Sequence, residues 1–289
     1  MNHRLNYKGH SQIYREINFD RENAGVPFLQ FPLLEETGVV YHGISTRLGG
    51  VSTGYLASMN LSFTRGDAPE NVLENYRRMA QAVGVRVDQM VASHQTHTTN
   101  VRRVEREDAG KGVVREKDYT DVDGLVTNVP GICLVTFYAD CVPLFFVDPV
   151  RRVIASSHSG WRGTVGRMGK VTIEKMQKEY GCRPEDIYAA IGPSICQDCY
   201  EVSEDVIDQF RSEFAEEEWP GLFYAKPNGK YQLNLWRANE QILLDAGILP
   251  GHLAVNNLCT CCNPELLFSH RASQGKRGNL AAFLALKEE

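Results

Sequence analysis

Two side chains that commonly bind soft metal ions, Cys141 and His158, stand at one end of a predicted β-hairpin. Residues 142–147 and 152–157 are rich in valine, isoleucine and phenylalanine, and a turn containing aspartate and proline separates them. If the last residue of the first strand faces the first residue of the second, Cys141 lies opposite His158, with Cβ atoms about 4.5 to 5.5 Å apart. A shift of one residue would turn one of these side chains to the other face. The pair predicts a functional site, and the alternative is a buried thiol beside an unrelated histidine.

The glycine-rich segment 159–164, which follows His158, predicts an anion-binding turn. Thr164 can cap the helix expected after it, and the free N–H groups and dipole at a helix start favour anions. Arg162 would add a positive charge, and Gly163 is one of the pliant glycines of this turn. The alternative is a plain glycine-rich connection with no ligand.

Two other polar segments carry candidate groups. Arg47 lies in the loop 45–52, whose glycines and hydroxyls are typical of a tight functional turn, although a solvated surface arginine is an equal alternative. His94 and His97 lie three residues apart in the polar segment 94–101. In a strand or loop this spacing does not aim both rings at one site, so we expect at most one of them to be a ligand, and the residues alone do not choose between them.

Composition places the chain among ordinary globular proteins. It has 289 residues, of which 43% are hydrophobic and 23% charged, and its net charge is -5. A mildly acidic chain gives no support for nucleic acid binding. The first 20 residues lack the apolar core of a signal peptide, and no apolar stretch approaches the length of a membrane span. We therefore expect a cytoplasmic protein without membrane or nucleic acid partners.

Strand and helix patterns alternate along the chain without a visible linker or repeat. An apolar stripe at helical spacing predicts a helix capped by Asp67 and ended by Gly84, and others are expected from Thr164 to Gly181, from Ser203, and over 234–246. Besides the hairpin, apolar β-rich segments predict strands at 39–44, 124–127, 132–137, 187–191 and 253–257. The mixture, with several antiparallel connections, favours the α+β class.

Eight cysteines in a chain without an export signal indicate thiols, ligands or catalytic groups rather than a disulfide framework. Cys196 and Cys199, with the group Cys259, Cys261 and Cys262, could form a thiolate zinc site. Two observations count against such a site: the two groups lie far apart in the sequence, and they lack the usual paired spacing. The sequence therefore predicts that this cluster holds none of the bound zinc.

Many of these segments, in this order, resemble the YfiH/YlmD-like laccase-domain family. The resemblance covers nearly the whole chain from about Tyr41. It rests on Ser45-Thr46-Arg47-Leu48-Gly49-Gly50-Val51-Ser52, Ser58-Met59-Asn60-Leu61, Gln95-Thr96-His97, Ala139-Asp140-Cys141-Val142-Pro143, His158-Ser159-Gly160-Trp161-Arg162-Gly163, Ile191-Gly192-Pro193, Cys199-Tyr200-Glu201-Val202 and Phe268-Ser269-His270-Arg271.

The resemblance implies a four-layer α/β/β/α sandwich with mixed sheets. It implies one catalytic domain over 1–289, with residues 1–38 as an N-terminal extension. It also implies a metal site made by His97, Cys141 and His158, which selects His97 over His94.

Other residues of the same motifs become candidates with it. These are Asp140 as a catalytic residue and Arg47, Asn60, Arg162 and Gly163 as substrate or phosphate ligands. The tail departs from the family pattern: Ala272 and Ser273 replace an Arg-Asp pair, and Asn279 stands where an arginine is expected.

The family is regarded as purine nucleoside phosphorylases with additional adenosine deaminase activity. We therefore expect a zinc-dependent enzyme that binds a purine nucleoside and phosphate, as a monomer or small homo-oligomer. Two imidazoles and a thiolate suit zinc and leave a fourth position open, although copper is possible.

Three rival functions remain. One is a copper-dependent polyphenol oxidase, the family's older label, but the chain has eight histidines and no His-x-His pair. Another is a Cys-His hydrolase of amide or cell-wall peptide bonds, with Cys141 as the nucleophile and His158 as its base. The third is a metal-stabilised binding protein without turnover.

Overall fold

The protein is described by a computed structural model, which covers residues 4–9, 11, 13–19 and 25–288. Short strands dominate it. They are β1 (Arg15–Ile17), β2 (Phe28–Gln30), β3 (Val40–Ser45), β4 (Met90–Ala92), β5 (Val101–Arg103), β6 (Gly124–Thr127), β7 (Cys133–Tyr138), β8 (Val142–Asp148), β9 (Val153–Ser159), β10 (Tyr188–Ile191), β11 (Glu201–Val202), β12 (Phe223–Ala225), β13 (Tyr231–Leu233), β14 (Leu253–Ala254) and β15 (Leu280–Leu286).

The helices are α1 (Pro32–Glu35), α2 (Pro69–Val83), α3 (Trp161–Val165), α4 (Met168–Tyr180), α5 (Glu204–Glu213), α6 (Trp219–Leu222) and α7 (Leu235–Asp245). The bounds of α2 and α7 lie within one or two residues of the predicted ones. Gly84 and Gly181 adopt the left-handed conformation after α2 and α4, which ends those helices without steric cost. Within the described residues, no helix is both long and apolar enough to cross a membrane.

The strands form two six-stranded sheets and one small sheet. The first large sheet has the order β1-β2-β3-β15-β7-β4, and the second has the order β14-β10-β8-β9-β6-β5. Both combine antiparallel and parallel pairs, such as antiparallel β8 with β9 and parallel β5 with β6. Strands β8, β9 and β15 are buried along their whole length, because each large sheet is covered on both faces.

The two large sheets pack face to face, with helices on their outer sides. Phe145 and Leu284 belong to the apolar cluster between the sheets. Tyr76 of α2 packs edge-on against Phe283 on the outer face of the first sheet. Phe146 points the other way from its neighbour and joins the cluster formed with α4, α5 and α7 on the second sheet. The predicted α+β class and four-layer α/β/β/α arrangement are confirmed.

The hairpin that carries two of the candidate ligands is present, but its predicted register is wrong by two residues. Asp148 pairs with Val153 and Pro143 pairs with His158, so Cys141 is diagonal to His158 rather than opposite it. The turn keeps the expected four residues but lies one position later, at 149–152, where the carboxylate of Asp148 accepts hydrogen bonds from two backbone N–H groups. Side chains alternate with a period of two, so the slip leaves both ligands on the same face.

Two predicted helix starts are also wrong. Ala68 rather than Asp67 is the N-cap of α2, because the Asp67 carboxylate binds the hydroxyl of Ser52 and the amide of Asn60 instead. Thr164 lies inside α3, and its hydroxyl donates to the carbonyl of Gly160. The chain breaks before α4, where Arg167 adopts φ 53°. The turn at 159–164 therefore opens a helix of only five residues.

Residues expected as an N-terminal extension take part in the sheet. β1 pairs with β2, and β2 pairs with β3, so these two strands form one edge of the first sheet. Tyr14 is buried, and its hydroxyl donates to the amide oxygen of Asn256 at 2.6 Å. The described part of this segment thus packs against the same body as the rest of the chain.

Candidate active site

The structure brings together the three residues expected to hold a metal ion. His97 lies in the connection between β4 and β5 with φ 67°, Cys141 directly precedes β8, and His158 is the penultimate residue of β9. Their ligand atoms all lie within 4.8 Å of one another. The Sγ atom of Cys141 is 3.9 Å from Nε2 of His97, and the two imidazole rings meet edge-on at 4.9 Å.

Asp123 orients this group, and the sequence reasoning missed it. Its carboxylate lies 2.8 Å from Nδ1 of His158 and is fully buried. The same carboxylate accepts hydrogen bonds from the backbone N–H groups of Thr96, His97 and Thr98, which fixes the loop that carries His97. A buried carboxylate that binds the far nitrogen of a metal-ligating histidine sets its tautomer and raises its basicity. Asp123 precedes strand β6, and that position was its only signal in the sequence.

Electrostatics around the cluster favour a thiolate at Cys141. Burial raises the pKa of the thiol, but the imidazoles of His158 and His97 outweigh this effect and lower it to about 6. Burial lowers the pKa of His158, whereas the Cys141 thiolate and the Asp123 carboxylate raise it to about 9. Since the thiolate is both the metal ligand and the nucleophile of a cysteine, this environment fits a metal centre and also a reactive cysteine.

The donor set fits a zinc ion. In tetrahedral zinc sites, sulfur at about 2.3 Å and imidazole nitrogen at about 2.0 to 2.1 Å lie about 3.5 Å from each other. The 3.9 Å between Cys141 and His97 is close to that value. Three protein ligands leave a fourth position for a substrate or water, the arrangement of a catalytic rather than a structural site.

The cluster forms part of the wall of a cavity that also holds three cationic side chains. Arg65, Lys117 and Arg277 all line it, and none of them was predicted. Burial, aided by the charge of nearby Arg65, lowers the pKa of Arg277 to about 10. The Nε atoms of both arginines are buried and lack a hydrogen-bond partner among the residues that the structure describes. Buried donors of this kind need an acceptor, so the cavity is suited to an anion.

The aromatic lining of the same cavity offers surfaces for a flat ligand. Phe63, Phe137 and Tyr138 lie along it with the metal-ligand cluster. Phe63 is 39% exposed and stacks on Tyr76 from α2, which holds its ring in place. A planar base could stack on such rings, since aromatic faces contribute roughly 1 to 3 kcal/mol per stacked base.

The carboxylate of Asp140 is held by hydrogen bonds to two other segments of the chain. The backbone of Asp140 adopts φ 93°. One carboxylate oxygen accepts from the Thr260 hydroxyl at 2.6 Å, and the other accepts from the backbone N–H of Arg271 at 2.7 Å. These bonds hold the chain in the strained conformation directly before Cys141. The catalytic role assigned to Asp140 stays a prediction.

The predicted substrate ligands lie outside the lining of the cavity. Arg47 donates to the carbonyls of Ala57 and Pro264 and packs over the Phe268 ring. Asn60 is buried, and its amide donates to Ser62 and Asp67. Arg162 is exposed and lies over the ring of its neighbour Trp161. Gly163 is buried inside α3. Their binding roles stay predictions, and the cations that face the cavity are others.

Comparison with known proteins identifies the family. Residues 41–287 match the family described as multi-copper polyphenol oxidoreductase laccase. Purine nucleoside phosphorylase YlmD of Bacillus subtilis (strain 168) is 36% identical over 253 residues, which cover 86% of this chain and 89% of that protein. Adenosine deaminase RL5, from an unknown prokaryotic organism, is 35% identical over 217 residues, covering 74% and 82%. The chain belongs to this laccase-like family.

A solved structure agrees with that assignment. The crystal structure of YlmD from Geobacillus stearothermophilus superposes with a TM-score of 0.86 and 33% sequence identity, covering 96% of this chain and all of that one. The resemblance to YfiH/YlmD-like proteins is therefore confirmed in sequence and in fold. The relatives are named as enzymes, which supports an enzymatic rather than a purely structural role for the family.

Proposed function

We propose that the protein is a zinc-dependent purine nucleoside phosphorylase with adenosine deaminase activity. It would cleave adenosine, inosine and S-methyl-5'-thioadenosine with phosphate to give the free base and ribose 1-phosphate. The observation that carries the proposal is the His97, Cys141 and His158 cluster in a cavity that also presents unpartnered arginine donors. The names of the relatives support the same two reactions.

Phosphorolysis breaks the bond between C1′ of the ribose and the purine nitrogen and forms a bond from C1′ to a phosphate oxygen. The bonding electrons leave with the purine, which takes up a proton. The phosphate must therefore be held against C1′ while the base is fixed on the other side. Arg65 and Arg277 line the cavity and would bind phosphate oxygens. The rings of Phe63, Phe137 and Tyr138, which also line it, would position the purine.

Deamination uses the same cavity with water in place of phosphate. Water adds to C6 of the purine, ammonia leaves, and no anion is required. A zinc ion held by the three ligands would polarise a substrate oxygen or activate a bound water. The Asp123 carboxylate, 2.8 Å from Nδ1 of His158, would hold the proton on that nitrogen and leave Nε2 as the atom that binds the metal. One open centre could thus serve both reactions.

A Cys-His hydrolase is the second candidate, because one observation favours it. The lowered pKa of Cys141 beside His158 is also what a nucleophilic cysteine needs. A copper oxidase is less well supported, since a single site with two histidines and one cysteine lacks the further copper centres needed to reduce dioxygen to water. Metal content and alkylation of Cys141 with and without metal separate these alternatives.

The test is product analysis by chromatography on a panel of nucleosides, with and without phosphate. We expect phosphate-dependent release of free purine, phosphate-independent formation of inosine from adenosine, and loss of both in Cys141→Ser and His158→Ala. Elemental analysis should show less zinc in these variants than in the parent. Phenol oxidation by copper-free protein faster than turnover of any nucleoside would overturn the proposal. So would full zinc retention in both variants.

A further inference from the structure

Four of the cysteines that the active site does not use form a second cluster. Cys196 and Cys199 flank a single helical turn after β10, and Cys259 and Cys262 lie in the loop after β14. The Sγ atoms of these four residues all lie within 4.8 Å of one another. We propose that the four thiolates bind a structural zinc ion, separate from the metal centre of the active site.

The geometry fits tetrahedral zinc. With a zinc–sulfur distance of about 2.3 Å, the sulfur atoms of a four-cysteine site lie about 3.8 Å apart. The Cys199 and Cys262 sulfurs are 3.5 Å apart, and all the cysteines are free. The expectation from the sequence, that this cluster holds no zinc, rested on the lack of paired spacing. Cys259 and Cys262 are in fact a C-x-x-C pair like Cys196 and Cys199, with Cys261 between them.

Two groups beside the cluster favour negative charge on sulfur. The backbone N–H of Cys196 donates to the Sγ atom of Cys259 at 3.2 Å, a contact that favours a thiolate. The ammonium group of Lys8 lies close enough for its charge to act on Cys196 and Cys262, and it forms an ion pair with Asp198 at 3.1 Å. Four thiolates around a divalent ion leave a net negative charge, which such a cation partly offsets.

The position of the cluster assigns it a supporting role for the active site. Thr260, inside the second pair, donates to the Asp140 carboxylate, and its backbone N–H donates to the carbonyl of Ser194. The backbone N–H of Ile195, next to the first pair, donates to the carbonyl of Asp140. An ion that joins the two pairs would therefore fix both loops that hold Asp140, directly before Cys141. All four positions of this ion are filled by protein, so it is structural.

The test is the zinc content of the purified, zinc-supplemented protein and of matched variants. We expect Cys199→Ser and Cys262→Ser to lose about one zinc per chain, and Cys261→Ser, a neighbouring cysteine outside the quartet, to lose none. Cys141→Ser should keep the zinc of the quartet. Cobalt substituted into Cys141→Ser should show the strong thiolate charge-transfer bands of a four-sulfur site. This result does not depend on whether the active site binds zinc, because Cys141 is absent from the variant. Unchanged zinc in Cys199→Ser and Cys262→Ser would overturn the inference.

A second measurement uses the parent protein and does not depend on the folding of a variant. The native chain is alkylated with and without prior removal of metal by a chelator, and each cysteine is followed by peptide mass spectrometry. We expect zinc to protect Cys196, Cys199, Cys259 and Cys262, and to leave the labelling of Cys261 unchanged. Equal labelling of the four with and without zinc contradicts the proposal. Disulfides within the quartet in freshly purified protein contradict it as well.

Discussion

The three candidate metal ligands are brought together by one carboxylate that belongs to none of the recognised motifs. Asp123 lies 35 residues before His158 in the chain, yet it binds the ring of His158 and three N–H groups of the loop that carries His97. Sequence patterns reveal ligands through their chemical type. They do not reveal a partner that acts through folding, and an aspartate before a strand has many uses.

We predict that Asp123→Asn weakens zinc binding by roughly 10- to 100-fold, the usual effect of removing a carboxylate behind a histidine ligand. The amide keeps the size of the side chain but loses the charge that supports His158. Competition with a chelator of known affinity measures the change. Asp121→Asn is the matched control, since that exposed carboxylate binds Thr96 but no metal ligand. Equal zinc affinity in parent and Asp123→Asn would show that the carboxylate only supports the loop.

Gly160 is a second residue whose role is visible only in the structure. A Cβ atom at this position would lie 3.0 Å from Sγ of Cys141 and 3.1 Å from Cδ2 of His97. Gly160→Ala should therefore displace one of these ligands, with an overpacking cost of about 1 to 3 kcal/mol. We expect reduced zinc content and a lower melting temperature. Gly251→Ala is the control, because its Cβ would meet nothing within 4 Å. If the two variants have the same zinc content and melting temperature, an alanine side chain fits at position 160 and the prediction is wrong.

At the scale of elements, apolar strands with β-branched residues were predictable and the others were not. β6 is found with its predicted ends, and α2 and α7 lie within one or two residues of theirs. β15, with the sequence LAAFLAL, lies between β3 and β7 in the first sheet but was missed. Alanine and leucine favour helices, so only its burial on both faces makes this segment a strand.

Side-chain bonds caused the other local errors. The hairpin register depends on the Asp148 carboxylate, which binds two N–H groups of a four-residue turn that lies one position later than the strand pattern predicts. The helix starts at Asp67 and Thr164 failed because the Asp67 carboxylate binds the Ser52 hydroxyl, while the Thr164 hydroxyl binds Gly160 and Asn239. The prediction that Cys141 and His158 lie on the same face of the hairpin still holds, because the register error is an even number of residues.

We predict that the buried ring of His42 on β3 makes the folded protein less stable in acid. Its ring is 1% exposed and accepts a hydrogen bond from the backbone N–H of Phe31, and burial lowers its pKa to about 4. The unfolded chain binds a proton near pH 6.5, so the stability that the neutral ring contributes is present above that pH and is lost as pH falls towards 4. The loss should reach about 3 kcal/mol at pH 4.

Denaturant unfolding of the parent and of His42→Gln between pH 7 and pH 4 measures this contribution. Glutamine can accept the same hydrogen bond but does not titrate, so the stability of the parent should fall more steeply over this range. Comparing the two proteins cancels the effects of the other titrating groups. Parallel curves would mean that His42 is protonated in the folded protein without cost.

At the scale of the whole molecule, the cavity is assembled from stretches that are far apart in the chain. Its wall is formed by residues 61–65, 93–95, 97, 112, 117, 137–139, 141, 158, 277 and 279. The tail departs from the family pattern at Asn279, but Arg277, two residues earlier, reaches the cavity. The sequence alone directed attention to Arg162 and Arg47, because it shows charge beside motifs but not which charges face a common space.

We predict that Arg277→Ala impairs phosphorolysis more than deamination. Arg277 is a half-buried cation in the cavity with a buried, unpartnered Nε donor. Losing a charge-assisted contact to phosphate should cost about 1.5 to 3 kcal/mol, or roughly 10- to 150-fold in phosphate affinity. Deamination uses water and no phosphate, so it should suffer less. The measurement is inosine cleavage against phosphate concentration, with adenosine deamination assayed separately.

Arg162→Ala and Arg47→Ala in the same assays test the assignment made from the sequence. Arg162 stacks on Trp161 and Arg47 is bonded to backbone carbonyls, so we expect the phosphate dependence of both variants to change less than that of Arg277→Ala. Arg277→Lys keeps the charge and should recover part of the phosphate affinity. If Arg277→Ala lowers both activities equally at unchanged phosphate dependence, this arginine positions the nucleoside or the fold. If Arg162→Ala alone raises the phosphate requirement, the anion lies at the turn before α3 instead.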